Sequence, residues 1–236
     1  LGGFAEQALI HENQLVSIPE SVPFPQAALI GCGVLTGAGA VLNTANVRTG
    51  ETVVIIGAGG VGLNAVSAAA VAAARTIIVI DIDDRKLEKS RRFGATHTIN
   101  SGAVDPVAAV LKISSVGVDH VFDFVGIPTV YEQALAMLAV GGSLFLIGTS
   151  DPRAAVQVPV VSAVLNQIRV QGVNFGSANF THDIPVYLEL YARGQMNLDD
   201  LVSRKISLNE LPTADDMLND PTVTRVVVTT FDASSQ

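Results

Sequence analysis

One cysteine, Cys32, is all that the 236 residues hold, so no internal disulfide can form and a secreted disulfide scaffold is excluded. Histidine is nearly as scarce, and four scattered copies do not complete a closed four-ligand zinc site with that thiol. Basic residues are outnumbered: 14 Lys and Arg stand against 22 Asp and Glu, for a net charge of -8. That sign is opposite to the footprint of a protein that neutralises phosphate backbones, which argues against nucleic acid as a partner. The N-terminal segment has neither a basic region nor a cleavage site, so nothing in it reads as a signal peptide, and a cytoplasmic location is the default expectation. There is also no G-x-S-x-G elbow, no Cys-x-x-Cys pair and no P-loop.

Two long stretches lack charge altogether, residues 21–47 and 52–74. The first contains Pro23, Pro25, Gly31, Gly33, Gly37 and Gly39, and the second is split by Gly57, Gly59, Gly60 and Gly62. Neither is expected to be a continuous apolar helix or a membrane span, and both read as buried segments of a soluble core. With 49% hydrophobic residues, the chain can bury a substantial core of one to two domains, at roughly 150 residues each.

From Glu51 onward, short β-branched runs alternate with helical patterns, the signature of βαβ units and a parallel sheet covered on both faces. The runs predict strands at 52–56, 76–80, 97–100, 120–124, 143–147 and 169–173. Helices are predicted at 61–74, 84–93, 106–113, 131–139 and 184–194. The fold class is therefore α/β, a doubly wound six-stranded parallel Rossmann sheet with helices on both faces. The ends break the alternation: residues 4–19 read as short extended segments, and 205–232 as strand, helix and strand. The expected organisation is a flanking segment at 1–20, a dinucleotide-binding domain at 21–204 and a second flanking segment at 205–236.

The first strand runs straight into Gly57-Ala58-Gly59-Gly60-Val61-Gly62 and then into a helix, which is the G-x-G-x-x-G dinucleotide fingerprint in its required context. Gly57 permits the tight turn, Gly59 removes a side chain that would block a pyrophosphate, and Gly62 lets the helix pack close to the strand. The second strand ends at Asp81, about 20 residues on, where the fingerprint expects a carboxylate that accepts from the adenosine ribose. Such a carboxylate repels a 2′-phosphate, favouring NAD over NADP. Asp83 and Asp84 are expected to cap the following helix rather than to touch ligand. That helix carries Arg85, Lys86, Lys89, Arg91 and Arg92, a pattern usual for a solvated face; Lys86 stands out for its place beside the expected ribose site.

Taken alone, Cys32 in Gly31-Cys32-Gly33 would be a buried, inert thiol, with no basic neighbour in sequence to activate it. The combination of motifs, however, resembles the zinc-dependent medium-chain alcohol dehydrogenases, nearest the class III branch and its bacterial relatives. The features that carry the resemblance run through most of the chain: Phe4-Ala5-Glu6 with His11-Glu12, Gly31-Cys32-Gly33 through Thr36-Gly37, the glycine loop, Asp81 with Lys86, Phe122-Asp123-Phe124-Val125-Gly126, Gly141-Gly142-Ser143 and Thr224-Arg225.

The resemblance implies that Cys32 is one of three protein ligands of a catalytic zinc and that Thr36 faces the nicotinamide. It implies that Gly60 and Val61 contact the pyrophosphate, that Asp81 and Lys86 bind the adenosine ribose, and that Ile82 lies against the adenine. Val125, Gly126, Ile147 and Phe175 would line the nicotinamide half, and Arg225 would reach the pyrophosphate. In the family a preceding catalytic domain supplies the remaining zinc ligands and most of the substrate pocket, and both flanking segments belong to it. The expectation is an NAD-binding half of an enzyme that oxidises an alcohol to an aldehyde or ketone, binding NAD without turning over alcohol on its own. Self-association through the edge strand within 156–175 is implied as well. The rivals are a non-enzymatic NAD-responsive module and a zinc-free quinone-reductase-like enzyme. Cys32 and Thr36 argue against the first, and Cys32 with Asp81 against the second.

Overall fold

The structure, a computed structural model, describes residues 3–149, 152–153 and 155–231; the tips of the two flanking segments, 1–2 and 232–236, lie outside that description. In chain order, the principal elements are α1 (Phe24–Thr44), β1 (Thr52–Ile56), α2 (Gly62–Val71), β2 (Thr76–Asp81), α3 (Asp84–Arg91), β3 (His97–Asn100), α4 (Pro106–Ile113) and β4 (Val118–Asp123). They continue with α5 (Pro128–Met137), β5 (Leu138–Leu146), α6 (Val160–Asn166), β6 (Arg169–Gly172), α7 (Phe180–Ala192), β7 (Val202–Ser207), α8 (Ala214–Leu218) and β8 (Arg225–Thr230).

Six strands form one parallel sheet in the order β3-β2-β1-β4-β5-β6, as the alternation predicts. Residues that alternate along a strand enter opposite layers. Val53, Ile55, Ile77, Val79, Phe122 and Phe145 pack on one face with α1, α2 and α7. Val54, Ile56, Ile78, Ile80, Val121 and Leu144 pack on the other with α4 and α5. Burial on both faces is what the apolar run Val53-Val54-Ile55-Ile56 demands, and each of those side chains contributes roughly 1.5–3 kcal/mol by leaving water. β7 and β8 pair in parallel as a separate two-stranded sheet, with α8 between them, in the strand, helix and strand order expected of the C-terminal segment.

The structure corrects the expectation for residues 21–47: Phe24–Thr44 is one continuous helix, containing π-helical turns at Ile30–Val34 and Ala40–Thr44. Its prolines do not interrupt it, because Pro23 is the N-cap and Pro25 lies in the first turn, where a missing N–H costs nothing. Its glycines mark backbone contacts. A Cβ on Gly37 would lie 2.2 Å from the Val61 carbonyl oxygen, and one on Gly39 would lie 2.4 Å from that of Gly176. By length and composition this helix could span a membrane; here Ile30, Val34, Leu35, Ala38, Ala40 and Val41 are packed into the core.

Further elements differ from expectation, among them α7, which begins at Phe180 rather than at 184. α5 begins at Pro128, which is pre-set for a first helical turn, and Leu138 and Ala139 enter β5 instead of ending the helix. The short helix Val160–Asn166 was not anticipated, since its β-branched run reads as extended; Gln167, in the left-handed region, closes it.

Candidate functional site

Strand order reverses between β1 and β4, and at that switch point the carboxyl ends of the strands open a crevice. The glycine loop fills the turn from β1 into α2. Gly57 has φ 99°, and a Cβ on Gly62 would sit 1.9 Å from the Gly57 carbonyl oxygen, so both positions exclude a side chain. Gly59 faces open space. Among the described residues, the backbone N–H groups of Gly59, Gly60, Val61 and Gly62 have no acceptor, as the N-terminal donors of a helix do unless something caps them.

The loop is held from one side by Asp81, the last residue of β2. Its Oδ2 accepts from the Ala58 N–H at 2.8 Å, while Oδ1 accepts from Ile82 at 2.8 Å and Asp83 at 3.1 Å. Oδ2 keeps a lone pair for a hydroxyl donor, while Oδ1 already accepts two bonds. Ile82, next in the chain, leaves 76% of its surface exposed. Lys86 lies half-buried in the first turn of α3, with no ion pair for its ammonium among the described residues. Asp83 caps α3 by accepting from the Arg85 N–H and also pairs with the Arg85 guanidinium, which holds its carboxyl down at about 2. The basic run is thus partly tethered: Arg92 pairs with Asp200 and Lys89 donates to Thr224.

That last bond fixes the entry to β8, whose first residue, Arg225, crosses back over the glycine loop. A Cβ on Gly60 would meet its guanidinium at 2.6 Å, and one on Gly33 would meet it at 3.2 Å. Burial pushes the Arg225 pKa below the ordinary arginine value, with a smaller opposing pull from the nearby Cys32. It has no carboxylate partner among the described residues. A half-buried guanidinium over four unpaired N–H donors attracts a dianionic, phosphate-like group.

The other side of the crevice is built by α1 and the loops after β4, β5 and β6. Cys32 is exposed near Arg225, and Thr36 lies half-buried one turn further along. Val125 abuts Gly57, and Gly126, at φ 83°, packs against Gly148. That turn is ordered by Asp123, a fully buried carboxylate that accepts from the Val125 N–H at 3.1 Å and the Gly126 N–H at 2.8 Å; desolvation raises its pKa. Ile147 donates its N–H to the Asp123 carbonyl. Phe175, exposed, is held in the left-handed region with Gly176 and Ser177, and the Gly176 backbone lies against Leu35 and Gly39. A cavity of about 670 Å³ is lined by Gly31, Leu35 and Phe175 together with Gln14 and apolar residues such as Val16, Ile30 and Ile184.

Of the residues named from the sequence, the contacts above join Asp81 and Val125 to the glycine loop, Arg225 to Gly60, and Cys32 to Arg225. The roles of Asp123 and of Asn64, which bonds the loop from beneath, were not anticipated; the signal for Asn64 is a polar residue amid the apolar first turn of α2. The residues do not complete a zinc site, because no group of three His, Cys, Asp or Glu side chains converges among the described residues. Cys32 stands apart from the histidines, of which His120 pairs with Glu51 and His182 with Asp183.

A family model described as zinc-binding dehydrogenase matches residues 60–193. The putative alcohol dehydrogenase D of Mycobacterium tuberculosis is 35% identical over 218 residues, covering 89% of this chain and 58% of that protein. The alcohol dehydrogenase class-3 of Cereibacter sphaeroides is 32% identical, covering 92% of this chain and 60% of that protein. Among solved structures, benzyl alcohol dehydrogenase from Acinetobacter calcoaceticus superposes with a TM-score of 0.87 at 32% identity, covering 91% of this chain and 59% of that one. The chain thus spans about three fifths of the length of these relatives.

Proposed function

The chain belongs to the zinc-binding dehydrogenase family, and from that premise we propose that it is the NAD-binding portion of an alcohol dehydrogenase. The observation that supports this best is the Arg225 guanidinium, without a carboxylate among the described residues, against Gly60 in a loop whose N–H groups at 59–62 have no acceptor among those residues, at the switch point of the sheet. Those groups would hold the pyrophosphate. Asp81 and Lys86 would take the adenosine ribose, with Ile82 against the adenine. Thr36, Val125, Gly126, Ile147 and Phe175 would line the nicotinamide half and keep water from it. NAD, when bound, supplies the carbon that accepts hydride from the alcohol.

In this proposal residues 21–204 are the cofactor domain, while 1–20 and 205–236 pack with a catalytic domain of the kind its longer relatives have room for. Cys32 is one of three ligands to zinc in the full-length enzyme, and the 236-residue chain alone binds NAD without turning over alcohol. A cytoplasmic location and self-association belong to the same reading. Strand β6, whose outer edge has no partner strand among the described residues, and the exposed Val160, Val161, Val164 and Leu165 of α6 favour the latter.

Calorimetric titration of the purified chain with NAD and NADP, repeated on Asp81→Ala, tests the assignment. The expected result is NAD binding in preference to NADP, weakened by the substitution; binding of neither dinucleotide would overturn it.

A further inference from the structure

Beneath the glycine loop lies a polar side chain that neither the fingerprint nor the family resemblance assigns. Asn64 is 1% exposed, and its Nδ2 donates to the Gly60 carbonyl oxygen at 2.7 Å. In a regular helix that carbonyl would accept from the backbone N–H of residue 64. Here the Asn64 N–H bonds Val61 O at 3.1 Å instead, and the neighbouring carbonyls of Gly59 and Val61 are taken by Leu63 and Ala65. Among the described residues, the Asn64 carboxamide is the donor that Gly60 O retains. The arrangement has a cost, because Asn64 Oδ1 is buried with no hydrogen-bond partner among the described residues.

The peptide plane gives that cost a purpose. In a trans peptide the carbonyl of Gly60 and the N–H of Val61 point in opposite directions. Tying the carbonyl down toward α2 turns the Val61 N–H, which has no acceptor among the described residues, away from α2 and toward the crevice. α1 closes the site from the far side: a Cβ on Gly37 would lie 2.9 Å from the Asn64 Cβ, so the side chain has little room to turn away.

We propose that Asn64 is a positioning residue for the cofactor's pyrophosphate, holding the Gly60–Val61 peptide with its N–H aimed at phosphate. This rests on the NAD-binding reading above. The role is specific to phosphate: the adenosine end sits on Asp81 and Lys86 and does not depend on that peptide.

Titrating the wild-type chain, Asn64→Ala, Asn64→Leu and Asn64→Ser with NAD, ADP-ribose and adenosine tests it. Alanine and leucine remove the donor with different packing, so either variant carries the test if the other does not fold. Both are expected to weaken NAD and ADP-ribose about tenfold, the scale of one neutral hydrogen bond, with adenosine affinity unchanged. Serine, whose hydroxyl can donate to the carbonyl four residues back, is expected to restore affinity to within about threefold. Unchanged ADP-ribose binding in the donorless variants, or a parallel loss of adenosine, would overturn the assignment while leaving the NAD reading intact. Failure of the wild-type chain to bind either NAD or ADP-ribose would overturn the NAD reading and the assignment with it.

Discussion

Asp81 and Ala58 meet across the ends of neighbouring strands, with the carboxylate Oδ2 2.8 Å from the backbone nitrogen. The same side chain that would receive the ribose therefore also pins the second residue of the glycine loop. Ala58 is buried, so its N–H would have no ready substitute for that acceptor. Asp81→Ala is expected to lose about 1–3 kcal/mol of folding stability through this buried donor, measured by urea denaturation. Unchanged stability would mean that the carboxylate serves the ligand alone.

Arg225 should show the opposite separation of stability from binding. Its charge is held partly out of water without a carboxylate, so the folded chain bears a desolvation cost that an anionic ligand would relieve. Arg225→Gln is expected to weaken NAD binding by about tenfold to a hundredfold, the range for a charge-assisted bond, while the melting temperature stays level or rises. A variant that melts lower and binds as before would refute this.

The glycines of α1 divide into two kinds. Gly37→Ala and Gly39→Ala place a methyl against backbone at 2.2 and 2.4 Å, and each is expected to cost about 1–3 kcal/mol by forcing α1 away from its neighbours. Gly31 meets nothing within 4 Å, and Gly31→Ala is expected to stabilise the helix by about 0.5–1 kcal/mol. Thermal melts of the three variants would read the contrast directly.

Asp83 gives a dependence on acid. Its folded pKa lies at about 2, below the ordinary 3.8, chiefly through the side-chain hydrogen bond from Arg85. A depressed carboxyl contributes stability that is fully present above its unfolded pKa and is lost as pH falls from about 4 toward 2. A carboxyl-detected titration should place its midpoint near 2, and Arg85→Ala should raise it. A midpoint already at the ordinary value in the wild type would remove this contribution.

How much of this was legible depends on whether a residue's role is set locally or by distant chain. β1 and its loop were readable because a run such as Val53-Val54-Ile55-Ile56 must be buried on both faces, and because glycines at Gly57 and Gly62 answer constraints of their own turn. Asp83 was readable as a cap for the same reason. α1 was misread because the glycines that look like breaks are needed by Val61 and Gly176, which no local window contains. Asn64 was invisible for a related reason: its partner is close in sequence, but the space that confines it belongs to Gly37. Arg225 was named through family resemblance, since nothing near it in the chain points toward Gly60.

The position of Arg225 also orders events during synthesis. The glycine loop, the acidic end of β2 and the whole six-stranded sheet leave the ribosome before β8 does, and a unit that emerges first folds first. For a nascent chain, the cradle of N–H donors is therefore built first and the cation that crosses it comes last. Under the proposed function, a chain still short of residue 225 would hold a dinucleotide only as weakly as Arg225→Gln does, a property of the order in which the polypeptide is threaded rather than of its finished shape.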